Sequence, residues 1–237
     1  MAFVISVGAF LVAYNTVINL RPLPRWTYVP LNLAVTGLLV AGARLTGHTW
    51  QALGFDWDGL FAGLGWGVVA AVIVAAGVAG GSWLATIVPP LRALLTDRRA
   101  ADLSPARLAY DTLLRIPLGT AACEEALFRG LLFAALLDVG SVTRAVVVSS
   151  ALFGLWHVGP TLRALRENDT ALATGRRALV VIGAVLSTAV GGVVFALLRL
   201  ASGSLAAPVL VHWAINASGL LTAHAYQSAE APHPQRT

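Results

Sequence analysis

Apolar residues fall into seven long runs along this chain of 237 residues, each bounded by proline, glycine, charged or helix-capping residues. A hydrocarbon core about 30 Å thick is crossed by about 20 apolar residues in a helix. The pattern therefore predicts an all-α fold, a polytopic transmembrane helical bundle of about seven spans, with six to eight allowed. The runs cover residues 3–20, 27–47, 59–88, 106–138, 142–160, 178–200 and 204–224.

The run pattern also predicts the domain organisation. Residues 1–105 form N-terminal transmembrane helices, 106–224 form a helical core, and 225–237 form a disordered polar tail. The runs 59–88 and 106–138 exceed one bilayer thickness, so they tilt, break or leave room for an eighth short helix near 89–104. Glycines 63, 65, 67, 191 and 192 are expected to let helices approach closely.

Composition supports a membrane protein. The chain is 57% hydrophobic and 11% charged, and its mean hydropathy is +0.77. These values exclude an ordinary soluble domain, so the first predicted partner is the lipid bilayer. The single cysteine, Cys123, excludes an internal disulfide and a cysteine-based metal site. The absence of Lys, with abundant Ala, Gly and Arg, is typical of a GC-rich genome and favours a bacterial cell membrane.

Arginine is distributed unevenly between the gaps that separate the runs, although the net charge is +5. The second, fourth and sixth gaps hold Arg44, Arg144 and Arg199. The first, third and fifth gaps hold Arg21, Arg25, Arg92, Arg98, Arg99, Arg107, Arg163, Arg166, Arg176 and Arg177. The positive-inside rule then places the N-terminus outside and the C-terminus in the cytoplasm. Because these charges serve topology, we expect no nucleic-acid partner.

Few ionisable residues lie within the apolar runs. A charge at the bilayer centre costs about 2.5–3.5 kcal/mol even on insertion scales, so such residues face the bundle interior and usually serve function. They are the candidates for chemistry. The set comprises Asp111, Arg115, Glu124, Glu125, Arg129, His157 and His212.

The fourth run contains two adjacent glutamates for which helical phase predicts different roles. Glu125 and Arg129 are four residues apart on one face and are expected to form a neutralised structural pair. Glu124 is turned by about 100° from Glu125, which leaves it free for water or for other helices. Asp111 and Arg115 form a second pair of the same spacing.

Two further pairs follow at the same four-residue spacing: Phe153 with His157, and His212 with Asn216. With Glu124 they suggest a polar cluster drawn from three helices. Each pair also has an ordinary structural interpretation, because buried ion pairs, interfacial histidines and interhelical hydrogen bonds stabilise polytopic bundles.

Taken together and in this order, the motifs resemble the type II CAAX prenyl endopeptidases and their bacterial relatives, the CPBP or Abi proteins. The family pattern is Glu-Glu-x-x-x-Arg, Phe-x-x-x-His and His-x-x-x-Asn. Here it is matched by E-E-A-L-F-R from Glu124, F-G-L-W-H from Phe153 and H-W-A-I-N from His212. The similarity covers roughly residues 110–222.

The resemblance implies an intramembrane endopeptidase acting on a membrane-associated peptide or protein substrate. It implies that Glu124 and His157 activate a water molecule and that His212 and Asn216 stabilise the oxyanion, with Glu125, Arg129 and Phe153 as structural support. Members of the family are described either as glutamate-dependent or as metalloproteases. In the second case one divalent metal, such as zinc, is expected on Glu124, His157 and His212.

Two other function classes suit the same residues. One is a non-catalytic protein for bacteriocin self-immunity or membrane scaffolding, in which the cluster only organises the bundle. The other is an ion or proton transporter, because buried Glu, Arg and His also build relays. The chain shows no inverted repeat of broken helices, which disfavours a transporter.

Overall fold

The computed structural model describes residues 2–20, 24–101, 103–168 and 172–230, and every regular element within these ranges is helical. A 3₁₀ turn, Arg25–Thr27, precedes the second helix. The helices, in chain order, are α1 (Ala2–Leu20), α2 (Tyr28–Leu45), α3 (Leu60–Ile87), α4 (Arg98–Ala101), α5 (105–138), α6 (Val142–Trp156), α7 (Val158–Glu167), α8 (Thr174–Ser202) and α9 (Ala206–Glu230).

The helices confirm the prediction of a polytopic bundle. Five stretches in the described residues are long and apolar enough to cross a membrane: Arg25–Leu45, Leu60–Ile87, Val142–Glu167, Thr174–Ser202 and Ala206–Ala229. Helix α1 is a shorter apolar helix. Helix α5 has the length of a span but carries the charged residues of the fourth run.

Three local features differ from the predictions. The segment near 89–104 holds a 3₁₀ turn, Pro89–Leu94, and the single turn α4, which are both too short to cross a bilayer. Helix α7 was not predicted, because the charges of its sequence were interpreted as a loop. The predicted disordered tail is helical as far as Glu230, since no glycine or proline interrupts 220–230; residues 231–237 lie outside the described residues.

The first, third and fifth gaps lie together on one face of the bundle, with the end of α9. Asn168 donates to Asp97 Oδ1 at 3.2 Å, which joins the fifth gap to the third. Gln227 of α9 donates to the carbonyl of the same Asp97 at 2.6 Å. Arg166 donates to Asn19 O at 3.3 Å, which adds the end of α1. This face, called the odd face below, carries the nine described arginines of these gaps: Arg25, Arg92, Arg98, Arg99, Arg107, Arg163, Arg166, Arg176 and Arg177.

The second, fourth and sixth gaps meet on the opposite face. His48 Nε2 lies 3.0 Å from Asp138 Oδ2, which connects the second gap to the end of α5. Arg199 donates to Gln51 O at 2.9 Å near the sixth gap. The chain therefore alternates between two faces as the predicted order of spans requires.

Some of the predicted glycines do bring helices together. A Cβ atom on Gly63 would lie 2.6 Å from Ser204 Cβ, and one on Gly67 would lie 3.0 Å from Ala207 Cα, so α3 packs tightly on the start of α9. Gly192 of α8 is similarly close to α6. Gly65 and Gly191 have no such neighbour within 4 Å.

Helix α5 passes through the centre of the bundle. Ser104 begins it as the N-cap, accepting a hydrogen bond from the backbone N–H of Arg107, and Pro105 occupies the first turn as predicted. The stretches Asp111–Ala122 and Ala126–Leu132 are π-helical, and every residue of the second stretch is buried. Pro117, which has no backbone N–H, lies in the first. π-Helical turns are frequent at functional sites, and here they flank Cys123–Glu125.

Candidate active site

Glu125 and Arg129 form the ion pair that the spacing predicted. Both side chains are fully buried, with Arg129 Nη1 3.1 Å from Glu125 Oε1. Arg129 Nη2 donates to Gly192 O at 3.1 Å, and its guanidinium lies 4.1 Å from the centre of the Phe153 ring. Phe153 thus covers a buried cation, which explains why an aromatic residue is useful at this place.

His212 joins this pair, a contact that helical phase alone did not reveal. Its Nδ1 lies 2.8 Å from Glu125 Oε1. Because a carboxylate only accepts, Nδ1–H is the donor. The ring stacks on Phe195 with centroids 5.1 Å apart, and its Nε2 points toward Glu124, 3.9 Å from Oε2. Glu125 therefore orients the imidazole whose other nitrogen faces Glu124.

Glu124 lies outside the Glu125–Arg129 pair and approaches His212 at 3.9 Å. It is 8% exposed, and its Oε2 is buried with no hydrogen-bond partner among the described residues. Buried polar atoms of this kind are rare and need an explanation, such as water or a catalytic role. The structure thus separates the two glutamates as helical phase suggested.

His157 lies where α6 ends and α7 begins. Its Nδ1 lies 2.8 Å from Phe153 O, and its ring packs edge-on against the Phe153 ring at 4.7 Å. His212 contacts the same Phe153 ring at 5.9 Å. Phe153 is therefore the shared surface between the two histidines.

Asn216 lies one turn after His212 on α9 and is half-buried. Within the part of the chain that the structure describes, no hydrogen bond involving its side chain is observed. Its predicted role at the oxyanion stays a prediction.

A cavity of about 40 Å³ borders Glu124, enough for roughly three water molecules. Helix α5 contributes Gly119, Cys123, Glu124 and Leu127, the end of α6 contributes Trp156, and α7 contributes Arg163. Helices α1 and α2 contribute the remainder: Asn15, Ile18, Asn19, Tyr28 and Asn32.

The contribution of α1 and α2 was not predicted. The candidates were the ionisable residues at membrane depth and Asn216, whereas Asn15 and Asn32 are neutral, polar and buried. An asparagine is also costly inside a lipid-facing helix, so its presence in an apolar run was the available signal. Asn19, Tyr28 and Arg163 lie near helix ends on the odd face, which places the cavity toward that face.

The three proposed metal ligands do not converge in this arrangement. Each histidine donates through Nδ1, His212 to Glu125 and His157 to Phe153 O, so only Nε2 is left on either ring to coordinate a metal. No group of three His, Cys, Asp or Glu side chains in the described ranges is placed to hold a metal ion. As arranged, these residues do not fit a three-ligand zinc site.

Comparison with known proteins identifies the region that builds this cluster. Residues 107–218 match the family described as type II CAAX prenyl endopeptidase Rce1-like. No curated protein and no solved structure gives a significant match. The matched region contains all three motifs and excludes α1, α2 and α3. The part of the chain that carries the buried cluster is therefore similar to the Rce1-like family of type II CAAX prenyl endopeptidases.

Proposed function

We propose that this protein is an intramembrane endopeptidase that hydrolyses a peptide bond of a membrane-delivered substrate with a water molecule activated by Glu124. The family match supports the reaction class. The observation that carries the mechanism is the position of Glu124, a buried carboxylate that borders a water-sized cavity.

The reaction needs a base and charge stabilisation. The Glu124 carboxylate takes a proton from a water in the cavity as the oxygen of that water attacks the peptide carbonyl carbon. The same carboxyl group then gives this proton to the leaving amine, so that one water is consumed and one peptide bond is broken. Attack places negative charge on the carbonyl oxygen, and donors near Glu124 must stabilise that charge.

His212 is the best-placed donor for this charge. Glu125 accepts from its Nδ1, so a protonated ring presents Nε2–H toward the side of Glu124. Around His212 the buried cluster contains the carboxyl groups of Glu124 and Glu125 and the guanidinium of Arg129. An imidazolium at His212 would balance the charge when both carboxyl groups are ionised. Asn216 and His157 are proposed to assist when substrate binds, because catalytic hydrogen bonds often form only in the complex.

Glu124→Gln tests the proposal. The variant keeps size and polarity but removes the base, so we expect peptide cleavage to fall by about 10²–10⁴-fold. Cleavage is measured with purified protein in proteoliposomes and a panel of lipid-anchored fluorogenic reporter peptides, including a prenylated CAAX peptide. Glu167→Gln, which changes a half-exposed carboxylate on α7, is the matched control and should cleave normally.

Undiminished cleavage by a folded Glu124→Gln protein would contradict the mechanism. If no reporter is cleaved by the wild type while a proton or ion flux depends on Glu124, the protein is a transporter. Protection against a bacteriocin that survives both Glu124→Ala and His212→Ala would instead favour the non-catalytic role.

The participation of a divalent ion is tested separately, by metal content and chelator sensitivity of the purified wild type and Glu124→Gln. About one zinc per chain, together with loss of cleavage on chelation, would support the metal assignment to Glu124, His157 and His212. Full turnover by protein freed of metal would exclude it.

A further inference from the structure

The cavity beside Glu124 has a second wall that lies outside the region matched to the family. Asn15 and Asn19 of α1 and Tyr28 and Asn32 of α2 all border it, whereas the match begins at residue 107. Side chains with amide and hydroxyl groups are expensive to bury within a membrane bundle unless they find partners. Their partners indicate what the wall is built to do.

Most of these groups are fixed by hydrogen bonds within the protein. Asn15 Nδ2 donates to Trp156 O, and Asn19 Nδ2 donates to Asn15 Oδ1 at 2.8 Å. Both polar atoms of the Asn15 side chain therefore have a partner within the protein, and its amide holds the end of α6 immediately before His157. Asn15 is a positioning residue.

Helix α2 is tied to both of its neighbours. Tyr14 donates to Asn32 Oδ1 at 2.7 Å, which joins α1 to α2. The hydroxyl groups of Tyr28 and Thr120 lie 3.2 Å apart, which joins α2 to α5 one turn before Glu124. These contacts fix the wall in place.

Two residues that line the cavity carry a side-chain donor without an observed acceptor. Trp156 Nε1–H is buried and has no acceptor in the described part of the chain. Asn32 accepts through Oδ1, and no acceptor is observed for its Nδ2 within the same residues. Leaving a buried donor unpaired costs about 1–3 kcal/mol, so a site that does so is expected to meet an acceptor at some stage.

We infer that this wall binds the backbone of the substrate, with Trp156 Nε1 and Asn32 Nδ2 donating hydrogen bonds to its peptide carbonyl oxygens. The inference rests on the proposed function. An indole N–H can only donate, so its partner must be an acceptor. A peptide segment drawn into the bilayer has no water for its carbonyl groups and must find donors in the protein. The donors of this wall can bind the carbonyl groups of such a segment, and the neighbouring Glu124 carboxylate can act as the base in hydrolysis.

Trp156→Phe and Asn32→Asp test the inference in the reporter assay. Trp156→Phe removes the indole donor, and Asn32→Asp replaces the Nδ2 donor while it keeps the oxygen that accepts from Tyr14. We expect KM to rise about tenfold with little change in kcat, as for the loss of a hydrogen bond that binds substrate and transition state equally. Trp83→Phe is the control, because Trp83 is 66% exposed on α3. A structural defect would instead reduce the active fraction and lower kcat at unchanged KM, and that result would overturn the inference.

A binding measurement separates this inference from the mechanism. The Trp156 indole signal in ¹⁵N-tryptophan-labelled Glu124→Gln protein is assigned as the one that disappears in the additional Trp156→Phe variant. We expect it to move downfield when the reporter peptide is added, whereas the signal of Trp83 stays in place. No shift at saturating peptide would show that the donor meets only water, which overturns the inference and leaves the role of Glu124 intact. Absence of any cleavage by the wild type would contradict both the proposed function and this inference.

Discussion

The adjacent residues Glu124 and Glu125 have the same side chain and opposite surroundings. Glu125 is fully buried against Arg129 and His212, which neutralise and hydrogen-bond it. Each carboxylate keeps one buried oxygen without a hydrogen-bond partner among the described residues, but of the two only Glu124 borders the cavity. Their roles therefore differ because successive residues of a helix point in different directions.

Loss of one member of the buried pair is predicted to damage the fold. Arg129→Met would leave the Glu125 carboxylate with only His212 as a partner, and breaking a buried ion pair costs about 3–5 kcal/mol. We expect a clear fall in thermal stability, measured by the unfolding temperature of the detergent-solubilised protein. Glu167→Gln breaks the pair with Arg163, which has the same spacing but is largely exposed, and should have little effect. Equal stability of both variants would contradict this account.

Asp97 gives a pH-dependent prediction outside the spans. Burial acts to raise the pKa of its carboxyl group, but the hydrogen bonds and charge of Arg99 outweigh this effect and lower the pKa below its usual value. A carboxyl group with a lowered folded pKa contributes stability above its unfolded pKa, and this contribution is lost as the pH falls through the folded value. Asp97 also anchors Asn168 and Gln227, so the loss should loosen the odd face.

We expect Asp97→Asn to be less stable than the wild type at neutral pH, with the difference shrinking as the pH is lowered below about 4. Unfolding temperatures of both proteins across this range provide the measurement, with the exposed Asp58→Asn as the control. A difference that is independent of pH would show that the charge of Asp97 is not involved.

At the scale of the helices, the close packing of α6 on α8 encloses the buried ion pair of α5. Gly154 of α6 lies so near to α8 that an added Cβ would be 2.6 Å from Val185 O. A backbone atom cannot move aside as a flexible side chain can. The packing of α6 on α8 in turn holds Phe153 and Gly192 around Arg129.

Gly154→Ala is therefore predicted to lower the unfolding temperature by several degrees and to reduce cleavage, because it pushes α6 and its histidine away from α8. Gly183→Ala on α8 is the matched control. It has no neighbour within 4 Å and should gain about 1 kcal/mol of helix stability. A Gly154→Ala protein as stable and active as the Gly183→Ala control would disprove the link between this packing and cleavage.

At the scale of the whole molecule, the two faces carry different charge. Among the described residues, the odd face holds nine of the arginines assigned to gaps and the opposite face three. The cavity lies toward the odd face. If that face is cytoplasmic, as the positive-inside rule predicts, substrate reaches Glu124 from the cytoplasmic side.

The orientation is tested by cysteine labelling in cells in a Cys123→Ser background, which removes the native thiol. We expect a membrane-impermeant maleimide to label Trp57→Cys, in the second gap, in intact cells. Ser228→Cys, near the end of α9, should react only after permeabilisation. The reverse pattern would invert the predicted topology.

The sequence by itself determined the number and order of the apolar helices, the alternation of faces, and the separate surroundings of Glu124 and Glu125. These features follow from run length and helical phase, which are local properties. It could not give the contact of His212 with Glu125, the packing of Phe153 on Arg129 or the wall that α1 and α2 place beside Glu124. Those depend on how helices distant in the chain turn and approach one another. The sequence also did not predict the two π-helical stretches of α5, the helix α7 or the extension of α9 to Glu230. Tertiary structure decides the role of a polar side chain in an apolar run, because that role depends on which distant residue the side chain contacts.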